Sequence, residues 1–310
     1  MRRLLPVALM IASLATPGVA AADDELRDIL LDAATADFHG DGIVLCNWDG
    51  DSAAATYDVT RSGGMSMVHG PGGDVLVSGA LTAVQSGADW YGLEVGEWSA
   101  WSLSDRYTVS APQPTVRLGR PASIVTVSEN GRPRARLIID DESTIPLVTE
   151  ILDGDGTLFR LAALIDFEPG AVLDMPEMPP LHSQTMVMPT AEPGSLPAEA
   201  AGYRRADTYA GPDETIQAFY TDGLFSFSIF ESERGERPEA FDDATRFEVE
   251  GETYRRLVTP SHVWVHWQAP NRSYLLVGDL PPDHIEQVLT ELPEPGNRGL
   301  FVRMWRRLFG

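Results

Sequence analysis

The chain has 310 residues, of which 43% are hydrophobic, and a formal net charge of −23. This length is more than one hydrophobic core usually fills, so the sequence predicts two domains. The acidic balance argues against nucleic acid as a partner, because a negative surface repels the phosphate backbone. All 23 basic residues are arginine, which is typical of GC-rich coding sequences.

The first residues are typical of a secretory signal peptide. Arg2 and Arg3 give a positive start, an apolar run LLPVALMIASLA follows, and small residues offer a cleavage site near Ala20–Ala22. The run is short for a membrane span, and no later stretch approaches the ~20 apolar residues that a span needs. We therefore expect cleavage of residues 1–22 and a periplasmic or otherwise extracytoplasmic mature protein.

The single cysteine, Cys46, has no partner for an internal disulfide in an oxidising compartment. It lies in the strand-like segment GIVLCNW. A reactive thiol needs an open and charged setting, which this segment does not indicate. We predict that Cys46 is a small buried apolar residue.

Residues 23–170 are predicted to form the first domain. Asp24 to Ala36 predicts a helix, because Leu26, Ile29 and Leu30 recur at helical spacing and acidic residues suit its start. Short strand patterns follow, separated by Gly, Asp or Pro. We interpret them as successive antiparallel hairpins, with turns at SENGRP, DDEST and DGDG.

Proline is frequent from Pro169 to Pro197, which predicts an extended linker over residues 171–199. Residues 200–293 then predict a smaller domain of strands, closed by a helix in PPDHIEQVLTEL. Pro282 suits the first turn of that helix. The apolar residues on one face of the helix are Ile285, Val288, Leu289 and Leu292.

Two segments resemble metal sites, but the spacing of their residues does not suit a bound metal ion. The segment that begins at Asp153 and Asp155 starts like a calcium loop, but its twelfth position is Leu164, where such loops need glutamate. His262 and His266 lie in an alternating, strand-like segment, so they would stand ~13 Å apart. No catalytic serine motif and no phosphate-binding glycine loop is present. We expect no cofactor, no metal and no catalytic residue.

The segment IQAFYTDGLFSFSIFE places many aromatic residues around one Asp-Gly turn. Strand alternation puts Phe225, Phe227 and Ile229 on one face, which we expect to form the core of the second domain. The opposite face carries Leu224 and Phe230 beside serines, and it is the better candidate for contact with another molecule. The residues predicted to bind a partner are Tyr220, Leu224 and Phe230.

The order of these elements and their turn motifs resembles the RseB/MucB family of extracytoplasmic regulators of the sigma-E envelope-stress pathway. The family shows an Arg-rich strand that runs into an L-x-x-D-x-x-T-x-L-P-L hairpin, followed by a second hairpin at L-D-x-x-G. Here these motifs are matched by Leu137, Asp140, Asp141, Thr144, Ile145, Pro146, Leu147, Leu152, Asp153 and Gly156. The family's YSDG hairpin is matched by Tyr220, Thr221, Asp222 and Gly223. Its strand-to-helix junction is matched by Leu276, Val277, Gly278, Asp279, Leu280, Pro281 and Pro282.

The resemblance covers Asp24 to Leu292 and implies a mainly β (α+β) fold. The first domain would be a half-open antiparallel β-barrel like those of the lipoprotein carriers LolA and LolB, with the helix across its concave face. The second would be a small antiparallel sheet with one helix. Two regions depart from the family pattern: Cys46 to Leu93 fits loosely, and the segment from Arg298 onward has no family counterpart. The arginine usage suits a relative of actinobacterial type.

The resemblance implies a regulator and not an enzyme. The family binds the exported part of a transmembrane anti-sigma factor and shields it from a protease, and lipid-like ligands release it. An alternative is a carrier of lipid or lipoprotein that uses the concave sheet face as a dry pocket. A secreted carbohydrate-active enzyme is a third reading, and it would require clustered carboxylates in one cleft.

Residues 294–310 form a basic amphipathic tail on an acidic protein. On a helical wheel, Arg303, Arg306 and Arg307 lie on one side. The apolar side carries Phe301, Met304, Trp305, Leu308 and Phe309. Either this apolar face docks on the body of the protein, or the segment contacts anionic lipid or a membrane-tethered partner. The contact residues predicted for the second reading are Arg303, Trp305, Arg306, Arg307 and Phe309.

Removal of Leu300 to Phe309 is expected to lower binding to vesicles that contain anionic lipid. Three arginines near such a surface would contribute about 1 kcal/mol each, and the aromatic side chains would add burial. Co-sedimentation of both forms with anionic and with neutral vesicles measures the difference. Equal binding by the full chain and the shortened chain would assign the segment to packing on the protein.

Overall fold

A computed structural model describes residues 36–63, 65–70, 73–78, 81–86, 89–94, 105–170, 194–210, 215–233 and 241–296. The chain divides into two compact units. The first holds Met1–Met188 with Asp222–Phe225 and Val258–His262, and the second holds the remaining segments. The predicted signal peptide, most of the predicted helix over 24–36, linker residues 171–193 and the tail from residue 297 lie outside the described residues.

The first sheet consists, in the described ranges, of antiparallel strands numbered here in chain order. They are β1 (Phe38–Trp48), β2 (Asp51–Ser62), β3 (Met65–Gly70), β4 (Gly73–Ser78), β5 (Leu81–Ser86), β6 (Asp89–Glu94), β7 (Tyr107–Val109), β8 (Gln113–Arg117), β9 (Arg120–Glu129), β10 (Arg132–Asp140), β11 (Pro146–Leu152), β12 (Leu158–Leu164) and β13 (Glu168–Pro169). Their order is β6-β5-β4-β3-β2-β1-β12-β11-β10-β9-β7, with β13 beside β1 and β8 beside β9. The sheet is a half-open antiparallel barrel, as expected.

Strand β1 shows why this sheet has one buried face. Its residues alternate between buried and half-buried over almost its whole length, with Phe38, Val44, Cys46 and Trp48 among the buried ones. A period of two places these side chains on one side of the sheet. Burial raises the pKa of the Cys46 thiol to about 12, although the Arg160 charge opposes the shift. Cys46 is thus a buried small residue, as predicted.

The predicted turns of the first sheet are confirmed. Asn130 and Gly131, with φ of 51° and 76°, join β9 to β10 in the conformation that a two-residue hairpin requires. The segment that resembled a calcium loop is the turn between β11 and β12. There the Asp153 carboxylate accepts hydrogen bonds from the backbone N–H groups of Asp155 and Thr157, at 3.1 and 2.9 Å.

The second sheet is also antiparallel, in the order β14-β15-β16-β17-β21-β20-β19-β18. Its strands are β14 (Glu199–Ala200), β15 (Tyr203–Ala210), β16 (Ile216–Thr221), β17 (Ser226–Glu233), β18 (Thr245–Val249), β19 (Glu252–Val258), β20 (Val263–Gln268) and β21 (Arg272–Gly278). One helix, α1 (Pro282–Glu291), follows the last strand. Its start at Pro282 and its buried residues Ile285, Val288 and Leu289 confirm the sequence prediction.

Helix α1 packs on the face of the second sheet that carries Phe227. The Nδ1 atom of the buried His284 in α1 lies 2.6 Å from the hydroxyl oxygen of Tyr203. The Tyr203 ring in turn meets Phe227 edge-on, with centroids 5.3 Å apart. Helix α1 is amphipathic and short, and no helix of the described segments is long and apolar enough to cross a membrane.

Substitution of Gly40 by alanine is expected to destabilise the first unit by about 1–3 kcal/mol. A Cβ atom at this position would lie 2.6 Å from the backbone oxygen of Asp166, which cannot move away as a flexible side chain would. Gly70→Ala is the matched control, since a Cβ there would meet nothing within 4 Å. Urea unfolding of both variants measures the effect, and equal midpoints would contradict this account of Gly40.

Candidate functional site

The inner face of the first sheet is lined by small residues where β2, β1 and β12 lie side by side. Gly42 pairs with Tyr57 and Leu164, Val44 pairs with Ala55 and Ala162, and Cys46 pairs with Ala53 and Arg160. We name this the small-residue face. The residues that define it are Gly40, Gly42, Ala53, Ala55 and Ala162. Their short side chains let larger groups approach the sheet, and a Cβ at Gly42 would collide with the Tyr57 ring.

The buried Arg160 places a positive charge on the small-residue face. Arg160 of β12 is only 6% exposed, and its charge reaches both Cys46 and Tyr57. Burial raises the pKa of the Tyr57 hydroxyl to about 12, and the Arg160 charge opposes that shift. A buried guanidinium can also attract an anionic or strongly polar group of a ligand.

One end of the inner face is filled by an apolar group that we call the end cluster. Its members are Phe38, Val59, Ile145, Leu147, Leu164 and Phe167. The tip of the β8–β9 hairpin, residues 117–120, lies on it. Leu118 packs against the end cluster and has a left-handed φ of 53°, which a branched apolar residue rarely adopts. Burial of its side chain offsets this local cost.

Two arginines hold the hairpin tip in place. Arg117 donates from Nη2 to the carbonyl oxygen of Leu164 at 2.9 Å. Arg120 donates to both carboxylate oxygens of the buried Asp140, at 2.7 and 3.1 Å, and its guanidinium lies 5.7 Å from the centre of the Phe167 ring. Burial would raise the pKa of Asp140, but hydrogen bonds from Arg120 and Ser143 outweigh it and lower that pKa. Asp140 and Leu147 belong to the hairpin motif that carried the family resemblance.

The aromatic hairpin in β16 and β17 is buried on both faces. Tyr220 is fully buried, stacks on Phe227 with 4.9 Å between the ring centres, and donates its hydroxyl to the carbonyl of Pro197 at 2.7 Å. Phe230 is 9% exposed, and Leu224, in the turn, is half-buried. Partner binding by these residues stays a prediction, and Leu224 is the one with accessible side-chain surface.

Sequence reasoning missed Glu231, which organises the start of the second unit. This carboxylate is 1% exposed and accepts hydrogen bonds from the backbone N–H and the hydroxyl of Ser195, at 3.2 and 3.0 Å. Arg272 lies 3.3 Å from its other oxygen. Residues 194–199, assigned to the linker from the sequence, are therefore fixed on the second sheet. The available signal was the position of Glu231 on β17, which alternation places on the same face as the apolar Phe227 and Ile229.

Aromatic side chains cross four strands of the second sheet in one row, which we name the aromatic ladder. Phe247 of β18 meets Tyr254 of β19 at 5.7 Å, Tyr254 meets Trp267 of β20 at 5.8 Å, and Trp267 stacks on Tyr274 of β21 at 5.1 Å. The Trp267 indole donates to the carbonyl of Pro293 at 2.7 Å. The ladder ends at β18 with the half-buried ring of Phe247.

The remaining candidate residues fall into two groups. The tail residues Arg303, Trp305, Arg306, Arg307 and Phe309 lie outside the described residues. His262 and His266 lie beside the hydroxyls of Ser261 and Ser273, each at 3.0 Å. Among the residues that the structure describes, no three His, Cys, Asp or Glu side chains are grouped to hold a metal ion.

Comparison with known proteins relates this architecture to solved structures, whereas no protein-family model and no curated protein matches the sequence. The complex of Pseudomonas aeruginosa MucA and MucB aligns over 89% of this chain and 100% of that chain, with a TM-score of 0.51 and 19% identity. A crystal structure of MucB aligns over 89% and 99%, with a TM-score of 0.52 and 19% identity. The chain has an RseB/MucB-like fold. A further MucB structure, in complex with MucA(peri), gives a TM-score of 0.51 at 18% identity.

The MucB-like fold agrees with the family resemblance drawn from the motifs. Both expected sheets are present, and the helix of the second sheet follows the Leu276–Pro282 junction as the resemblance implied. The positions of Asp140 and Leu147 explain why the hairpin motif is informative, because these residues close one end of the first sheet. The motif therefore reports on the fold.

Substitution of Asp140 by asparagine is expected to destabilise the protein by about 1–3 kcal/mol at neutral pH. The folded-state pKa of Asp140 is lowered, so its ionised form stabilises the fold above the pKa of the unfolded chain, about 3.9. That contribution is lost as the pH falls through the folded-state value. The difference between wild type and variant should therefore shrink below about pH 4.

Denaturant unfolding of both proteins from pH 7 to pH 3 measures this dependence. Asp141→Asn is the matched control, because the neighbouring Asp141 is exposed and accepts a hydrogen bond from the Ser123 hydroxyl at 2.8 Å. A stability gap for Asp140→Asn that stays constant down to pH 3 would contradict the role assigned to its ionised carboxylate.

Proposed function

We propose that this protein is an extracytoplasmic regulator that binds the exported part of a membrane anti-sigma factor and modulates its proteolysis in envelope-stress signalling. The observation that supports this most is the MucB-like fold over 89% of the chain, with a structure of MucB bound to MucA among those it resembles. The signal-peptide pattern at the start of the sequence is consistent with work outside the cytoplasm.

Regulation of this kind requires binding and no chemistry. A bound protein can protect a protease-sensitive segment simply by covering it. A lipid-like ligand would release the partner only if it binds the free regulator more tightly than the complex. The two sheets supply surfaces for such contacts.

The turn of the aromatic hairpin is the proposed contact with the partner. The buried Asp222 carboxylate accepts hydrogen bonds from the backbone N–H groups of Leu224 and Phe225, at 3.0 and 2.9 Å. These bonds fix the turn and hold the half-buried Leu224 in one position. Tyr220 and Phe230, on the two strands that the turn connects, belong to the same proposed contact, and the tail residues would contact the membrane or the partner.

A second function, transport of a lipid or lipoprotein, is favoured by the small-residue face. Alanines at positions 53, 55 and 162 keep this part of the face shallow beside the Tyr57 ring that covers Gly42, and Arg160 places a buried positive charge on it. An acyl chain could lie along the small residues with a polar headgroup near Arg160. The same site would serve the regulator as the place where a releasing ligand binds.

The regulator should retain a single-span membrane protein when the tagged protein is purified from its own cells in mild detergent. Its presence should also slow proteolysis of that protein's exported segment. Leu224→Arg is expected to weaken retention about tenfold or more, because a charge replaces apolar contact at the proposed surface. Val116→Arg is the matched control, since Val116 is 70% exposed on the first sheet.

The outcomes separate the two functions. Retention of a membrane protein, with loss in Leu224→Arg and not in Val116→Arg, supports regulation through the hairpin turn. Lipid in the purified protein by native mass spectrometry, without any retained membrane protein, favours the carrier. Deletion of the protein without any change in an envelope-stress transcript would contradict the regulatory role.

A further inference from the structure

Strand β18 lies at one edge of the second sheet, and the hairpin that joins it to β19 determines which of its backbone groups point outward. Strands β18 and β19 are joined by a two-residue turn, Glu250–Gly251, with φ of 49° and 75°. In such a hairpin the flanking residues Val249 and Glu252 bond to each other, and the pattern alternates along the strands. The backbone N–H and C=O groups of Arg246 and Glu248 therefore point away from β19.

This edge is accessible in the part of the chain that the structure describes. Thr245, Arg246 and Glu248 are exposed, and no other strand of the described segments lies beyond β18. Neither Arg246 nor Glu248 makes a side-chain hydrogen bond or ion pair with these segments. An open edge of this kind is a ready template for another strand.

An edge strand of the first sheet provides a contrast. Strand β8 is likewise joined to β9 by a two-residue turn, Leu118–Gly119, so the backbone N–H and C=O positions of residues 114 and 116 face outward. Proline has no N–H to donate, and it is one of the means by which proteins block strand addition. Strand β18 has no proline, and it offers both N–H groups at its outward positions.

The sequence of β18 is complementary to itself when two copies pair antiparallel. With Phe247 at the centre, Arg246 lies opposite Glu248 of the partner subunit, and Glu248 lies opposite the partner's Arg246. These are the outward-facing residues, so each such pair exchanges two backbone N–H···O bonds. A shift by two residues in either direction would place Arg246 opposite Arg246, or Glu248 opposite Glu248, and such like charges repel. One register is therefore favoured.

Two neighbouring features favour the same register. Arg246 lies directly opposite Arg255 of β19, so an incoming carboxylate would offset the repulsion between two like charges. The central pair would bring together Phe247 and the partner's Phe247 on the face that carries the aromatic ladder. The half-buried end of that ladder would then be covered by an identical ring.

We propose that β18 is a self-association surface through which two copies of this chain form a symmetric dimer with one continuous antiparallel sheet. The interface is isologous, as expected for a two-fold dimer. One short strand on each side covers less area than a permanent interface needs, so the dimer is reversible and forms with increasing concentration. The net charge of −23 on each chain opposes it, and physiological salt screens that repulsion. This inference does not depend on the proposed function.

Charge exchange at two positions tests the register. Arg246→Glu places two glutamates opposite each other twice, and Glu248→Arg does the same with arginines. Sedimentation equilibrium of the full chain at about 0.15 M salt should show a dimer dissociation constant raised about tenfold or more in each single variant. The double variant Arg246→Glu with Glu248→Arg restores both complementary pairs and should return the constant to near the wild-type value.

A second pair of variants tests the backbone hydrogen bonds. Arg246→Pro with Glu248→Pro removes only outward N–H groups, so the β18–β19 hairpin keeps its own bonds and the dimer is lost. Arg246→Ala with Glu248→Ala keeps those N–H groups and should retain weaker dimers. Circular dichroism and thermal unfolding check that each variant is folded.

Three results would overturn the proposal. A wild-type chain that stays monomeric up to about millimolar concentration, above the range of a weak interface, lacks this association. A dimer with the same constant in both single charge variants uses another surface. A double variant no better than the singles would show that the charges do not face each other in the favoured register.

Discussion

The pairing of β1 with β12 is the contact on which the first sheet depends. Every other strand from β2 to β12 lies beside its neighbour in sequence or forms an edge, whereas β1 and β12 are separated by more than one hundred residues. This long-range ladder, together with the short pairing of β1 with β13, joins two runs of local hairpins into a single surface. Closing so long a loop costs conformational entropy, and burial on the inner face must exceed that cost. Gly40 contributes here, because its missing Cβ admits the backbone oxygen of Asp166, which follows β12.

Strand periodicity and turn chemistry made most of the local structure predictable. Alternation in GIVLCNW, the Asn130–Gly131 turn and the apolar face of α1 each have a local physical cause, so they can be read without tertiary information. The β1–β12 ladder has no such local signal. The family resemblance implied a half-open antiparallel barrel and not which strands join its two halves, and the alternation of β1 is compatible with several neighbours.

The aromatic hairpin shows a second limit of sequence reasoning. Alternation assigned Phe227 and Ile229 to one face and Phe230 to the other, and the strands follow that division. Alternation cannot say what covers each face. Ser228 is fully buried and accepts a hydrogen bond from Gln217 at 3.0 Å, so serines on a strand did not mark a solvent-facing surface. Glu231 was overlooked because the side-chain partners of its carboxylate, Ser195 and Arg272, are distant in sequence.

All basic residues of this acidic chain are arginine, and several of them form ion pairs between strands. Pairs such as Arg120–Asp140, Arg134–Glu129 and Arg136–Glu150 join neighbouring strands or hairpins of the first sheet. A planar guanidinium can bond two carboxylate oxygens at once, which fixes orientation as well as distance. An arginine at a strand edge can bond a carboxylate of a second strand in the same way. At the edge of β18, Arg246 and Glu248 present opposite charges at two outward positions, and in the proposed dimer these charges select the register.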